Sequence, residues 1–121
     1  MRQPGVLVAD DEAGMRETLV DILAQSGYRV CSAADGDAAL AAIRRKPFDV
    51  VLMDIRMPGR DGVTVLREVG DPPPRVILMT AYANREQLRQ ARAANAFAVV
   101  SKPFDVPELL GLISRAAGAT A

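Results

Sequence analysis

Histidine is absent from this chain of 121 residues. That absence excludes Ser-His-Asp and Cys-His nucleophilic catalysis, imidazole-ligated metals and any carrier role that needs a phosphohistidine. Cysteine is nearly absent as well. The single Cys31 cannot build a disulfide framework, and its place in a short apolar stretch predicts a buried thiol in a reducing compartment. There is no net charge, since 15 basic residues balance 15 acidic ones, and no basic stretch stands out. Direct nucleic-acid binding is therefore not expected. No apolar run approaches the ~20 residues needed to span a bilayer, and the opening MRQPG has no apolar signal core. The expectation is a cytoplasmic protein with no membrane partner.

What the chain does have is alternation. Half of its residues are apolar, enough to bury one core. Short apolar runs at Val6–Ala9, Tyr28–Ala33, Asp49–Met53, Arg75–Met79 and Ala96–Ser101 read as strands, with Tyr28–Ala33 the least apolar and so an edge strand. Between them lie helical patterns over Ala13–Ser26, Asp35–Lys46, a short stretch ending at Val69, and Asn84 to about Ala94. A last one runs from Asp105 to about Ala117. Gly27 fits a helix C′ position. Asn84-Arg85-Glu86-Gln87 and Asp105-Val106-Pro107-Glu108 have the form of capping boxes. The fourth helix has a thin apolar face, chiefly Leu88 and Ala91, which predicts weak packing and freedom to shift. Strands alternating with helices predict an α/β fold, a parallel sheet covered on both faces. The whole chain, 1–121, reads as a single domain with a core from about 5 to 117.

Five residues stand where apolar runs end: Asp10 and Asp11 after VLVA, Asp54 after VVLM, Thr80 after VILM, and Lys102 after AVVS. In a parallel sheet these ends share one rim, the place where open α/β sheets bind ligands. Each residue alone has an ordinary reading. Asp10, Asp11 and Glu12 can cap a helix, an aspartate can end a strand, threonine belongs in strands, and a lysine before proline is usually solvated. Together they are more specific. Adjacent acids repel each other and a divalent cation relieves the repulsion; magnesium prefers one or two carboxylates, waters and a phosphate oxygen. A carboxylate can act as nucleophile toward phosphorus, and phosphoryl transfer needs mainly positioning and charge neutralisation. Asp54, on the central strand, is the candidate nucleophile. Asp11 and Asp54 are candidate metal ligands, the Thr80 hydroxyl a donor to one phosphoryl oxygen, and Lys102 the counter-charge to another. With no histidine present, any phosphoryl group must come from another protein.

The segments Val8-Ala9-Asp10-Asp11-Glu12, Met53-Asp54-Ile55-Arg56-Met57-Pro58-Gly59-Arg60-Asp61-Gly62, Met79-Thr80-Ala81 and Lys102-Pro103-Phe104 resemble the receiver domain of two-component response regulators, roughly from Val6 to Ala117. The second segment is most similar to receivers of the nitrogen-regulator type. The resemblance implies a flavodoxin-like, five-stranded sheet in the order 2-1-3-4-5 in three α/β/α layers. It implies that Asp54 accepts a phosphoryl group from a histidine kinase or histidine phosphotransfer protein. It implies Mg2+ held by Asp11, Asp54 and the backbone carbonyl of Arg56, with Asp10 acting through water, and a cis Lys102–Pro103 bond. Thr80 would turn toward the phosphoryl group and Lys102 would pair with it. The response would appear on the surface of the fourth helix, fifth strand and fifth helix, a candidate face for a homodimer, an output domain or a downstream protein.

One position departs from the family. Three residues before the lysine, receivers commonly carry an aromatic that moves inward with the threonine; here it is Val99. The usual aromatic switch is thus expected to be absent or weakened. Phe97 holds a core position, and Tyr82 lies in the loop after Thr80. Arg56 and Tyr82 occupy the two variable positions that tune acyl-phosphate lifetime in the family. Val99 is the one support for an alternative, a phosphate-independent interaction module of receiver shape. A phosphatase built on an aspartate nucleophile would place a second acid two residues after it, where this chain has Arg56, so turnover of external substrates is not expected. A flavin carrier would want Ser, Thr and backbone N–H groups after the first strand rather than acids.

Overall fold

The computed structural model describes residues 3–70, 73–81 and 84–118. Five strands, β1 (Gly5–Ala9), β2 (Arg29–Ala33), β3 (Val50–Asp54), β4 (Arg75–Thr80) and β5 (Ala98–Ser101), alternate with five helices, α1 (Ala13–Gln25), α2 (Gly36–Arg45), α3 (Gly62–Glu68), α4 (Arg85–Ala93) and α5 (Val106–Gly118). Every strand pair is parallel, and the order is β2-β1-β3-β4-β5. This is the flavodoxin-like order, and it places β2 at an edge as its mixed composition implies.

The two-residue period of the strands sorts the core into two layers. Val6, Val8, Val50, Leu52, Ile77 and Met79 face α1 and α5, meeting Leu19, Leu23, Leu109 and Ile113. Leu7, Ala9, Val51, Met53, Val76 and Leu78 face the other way, against Ala39 and Leu40 of α2, Val65 and Leu66 of α3, and Ala91 of α4. β1, β3 and β4 are covered on both sides, which is why they read as unbroken apolar runs. None of the described helices is long and apolar enough to cross a membrane.

Helix ends follow local chemistry. Asp35, Asp61 and Asn84 each accept a hydrogen bond from the backbone N–H three residues on, at 2.7–2.8 Å, and Asp105 does the same for Glu108 at 3.0 Å. Gly27 takes a φ of +95° just past the end of α1, as a C′ residue should. Three expectations are corrected. Strand β3 runs one residue later than the apolar pattern suggested, Val50–Asp54, because the chain bends at Asp49, whose backbone still bonds Gly5 on one side and Arg75 on the other. Asp49 Oδ2 accepts from the Gly5 N–H at 2.8 Å, and its own N–H donates to the Gly5 carbonyl. Cys31 is half-buried rather than buried, because β2 is an edge strand, and Lys46 Nζ lies 4.0 Å from its sulfur. The capping box of α4 is only half made: Asn84 caps Gln87, but Gln87 Oε1 is buried with no hydrogen-bond partner among the described residues.

In α4 Ala91 is the one buried residue, with Leu88 half-buried, so the helix rests on a narrow apolar stripe. Val99 packs on the same side of the sheet and Phe97 on the opposite side, in the α1–α5 layer. Tyr82 lies outside the described residues.

The loop from Ile55 to Asp61 turns back on its own strand. The Gly62 N–H donates to Ile55 O at 2.8 Å, and a Cβ at Gly62 would lie 2.5 Å from Asp54 O and 3.0 Å from Ile55 Cα. Those atoms are backbone and cannot swing aside. Gly62→Ala should therefore cost about 1–3 kcal/mol, visible as a lowered urea midpoint. Gly70→Ala, with open space around its Cβ, should stay within about 0.5 kcal/mol of wild type.

Candidate functional site

The parallel ladder carries the predicted residues to one rim. Asp54 ends β3 and pairs in register with Met79 of β4, one residue before Thr80, while Thr80 pairs with Ser101, one residue before Lys102. The backbone is tied across the same rim: Ile55 N–H donates to Met79 O and Lys102 N–H to Thr80 O, both at 2.8 Å. The Lys102–Pro103 bond is cis.

Three carboxylates converge. Asp10, Asp11 and Asp54 each offer an oxygen, and these atoms lie within 4.8 Å of one another. Asp10 is wholly buried, Asp54 is 8% exposed and Asp11 is open to solvent. An all-oxygen cluster with one exposed member fits a hard divalent cation that keeps some of its waters. The helix-capping reading of these acids is not what is seen. Glu12 stands at the N-cap of α1 and makes no side-chain cap, while Asp10 Oδ1 accepts the Glu12 N–H at 2.9 Å.

Lys102 reaches into this cluster, its Nζ donating to Asp54 Oδ2 at 2.7 Å and Asp10 Oδ2 at 3.0 Å, with 14% of its side chain exposed. Burial disfavours the ammonium, but the hydrogen bonds to Asp54 and Asp10 and the charges behind them outweigh it, so its pKa is raised above the usual lysine value. Asp54 Oδ1 accepts the Arg56 N–H at 3.0 Å, fixing the plane of the carboxylate. Thr80 is buried at 1% exposure at the same rim, and the Arg56 side chain points to solvent.

The structure thus joins Asp10, Asp11, Asp54 and Lys102 directly, and it sets Thr80 on the intervening strand and Arg56 on the adjoining loop. Sequence reasoning missed Arg16, whose Nη1 donates to Asp10 O at 2.8 Å and pins the loop after β1. No sequence signal marks such a bond, because its acceptor is a backbone carbonyl.

Comparison with known proteins agrees with this geometry. The family described as the response regulator receiver domain matches residues 6–114. Sporulation initiation phosphotransferase F of Bacillus subtilis is 32% identical over 117 residues, covering 95% of this chain and 94% of that protein. The DNA-binding transcriptional regulator NtrC of Salmonella typhimurium is 37% identical over 118 residues, 96% of this chain but only 25% of that longer protein. The crystal structure of a CheY-like response regulator receiver domain protein from Methanospirillum hungatei superposes with a TM-score of 0.94 at 28% identity, covering 98% of this chain and 96% of that one. The chain belongs to the receiver domain family of two-component response regulators.

Proposed function

We propose that Asp54 is the phosphoacceptor of this receiver, taking a phosphoryl group from a phosphohistidine on a sensor kinase or phosphotransfer protein with Mg2+ bound. The observation that supports this most is the meeting of three carboxylate oxygens within 4.8 Å with an ammonium 2.7 Å from Asp54. An Asp54 carboxylate oxygen forms the new O–P bond as the N–P bond of the donor breaks, and the imidazole leaves with its electron pair. Asp11, Asp54 and the Arg56 carbonyl are the proposed metal ligands, with Asp10 acting through water. When bound, the cation neutralises phosphoryl oxygens as charge gathers on them. Lys102 exchanges its carboxylate partners for a phosphoryl oxygen, and the Thr80 hydroxyl turns to donate to another.

That turn withdraws Thr80 from its buried place beside β5 and lets α4, held by little apolar surface, adjust with it. Val99 supplies less bulk for this coupling than an aromatic would, so the relay runs through Thr80 and α4. The response surface in this reading is the face of α4, β5 and α5, open to an output domain, a downstream protein or a second copy. The role is cytoplasmic relay, with no turnover of external substrates; Arg56 stands where a phosphatase would need an acid.

Incubation with Mg2+ and acetyl phosphate should add one phosphoryl group by intact mass, and Asp54→Asn should abolish the addition. Equal labelling of the Asn variant would remove Asp54 from the role. Saturating Mg2+ should raise the melting temperature, worth about 2.7 kcal/mol at a hundred times Kd, and Asp11→Asn should shrink that shift. Lys102→Ala should destabilise the metal-free protein by roughly 1.5–3 kcal/mol, the scale of a charge-assisted hydrogen bond, as read from urea denaturation. The same variant should gain more stability from Mg2+ than wild type does, because its carboxylates lack their own cation.

A further inference from the structure

Because the strands are parallel, the rim opposite the acids gathers the amino ends of the strands and the carboxyl ends of the helices. On that rim, between the end of α2, the start of β3 and the entry to β4, lies a groove of about 700 Å³. Its apolar lining comes from Ile43, Pro47, Phe48 and Pro74, and its cations are Arg44, Lys46 and Arg75, all three exposed. Two more cations adjoin it. Arg29 lies 5.7 Å from the Phe48 ring centroid and donates to Pro47 O at 3.1 Å, and Arg45 is exposed beside Arg44.

This concentration exceeds what the fold requires. A helix C-terminus carries roughly half a negative charge, and Arg44 alone more than offsets that of α2. Among the described residues, Arg29, Arg44, Arg45 and Lys46 have no carboxylate partner. The one acid lining the groove, Asp49, is buried, with its Oδ2 turned to the Gly5 N–H.

We propose that this groove docks an extended acidic segment of a partner protein, one in which aspartate or glutamate alternates with apolar residues. Its carboxylates would meet Arg44 and Lys46, with Arg29 and Arg45 beside them, while its apolar side chains lie on Ile43 and the two prolines. Charge complementarity selects the acid, and the apolar floor selects a peptide over a nucleic acid. A nucleic acid needs a continuous track of phosphate contacts, and this chain carries no net charge. Since the groove and the acidic rim lie at opposite ends of the strands, a bound segment leaves Asp54 accessible, and the proposal is independent of phosphoryl chemistry there.

The test is fluorescence anisotropy with a labelled peptide of alternating glutamate and leucine. Saturable binding that weakens with added salt is expected. Arg44→Glu with Lys46→Glu should weaken it at least about tenfold, roughly 1.4 kcal/mol. Arg44→Gln with Lys46→Gln should give a smaller loss, and Arg115→Glu none, with circular dichroism confirming each fold. Equal binding by the double reversal variant, equal binding of a lysine–leucine peptide, or tighter binding of oligothymidylate would each overturn the proposal.

Discussion

Asp10 and Asp54, one wholly buried and the other nearly so, share a single ammonium from Lys102. Carboxylates this close, and this far from water, are costly unless a cation lies among them. The lysine that meets the need comes from beyond β5, two strands away from Asp54 in the sheet. Its reach depends on β4 holding the intervening rim, and β4 depends on the two apolar layers packed against it. The fold thus acts as a jig for one charge cluster. The lysine serves both carboxylates as a tethered counter-ion, delivered by the chain itself.

The loop that follows Asp54 is held with similar economy. Arg60 pairs with Asp37 at 2.6 Å and also with Glu68, joining the start of α2 to the end of α3. Gly36 lets the backbone of Arg60 come so near that a Cβ would fall 1.9 Å from its carbonyl oxygen. These exposed ion pairs add little stability by themselves. Their effect is to fix where the loop goes, and hence where the Arg56 N–H meets Asp54.

Much of this was legible in the chain. Apolar runs such as VVLM before Asp54 mark doubly covered strands, and the residues that follow them fall on the ligand-binding rim for topological reasons alone. Less legible was the different fate of two adjacent acids. Asp10 turns inward to Lys102 and the Glu12 N–H while Asp11 faces solvent, because consecutive residues leaving a strand point to opposite sides. The exposure of Cys31 follows from the edge position of β2, which its apolar neighbours alone do not reveal. The unmade half of the α4 capping box depends on what surrounds Gln87, which spacing does not encode.

That last residue bears on how firmly α4 is seated. A buried oxygen without a donor costs about 1–3 kcal/mol, the same size as a typical coupling energy between two sites. That cost falls on the helix with the narrowest apolar stripe, Ala91 with Leu88 half-buried, so α4 is the helix that the core holds least firmly.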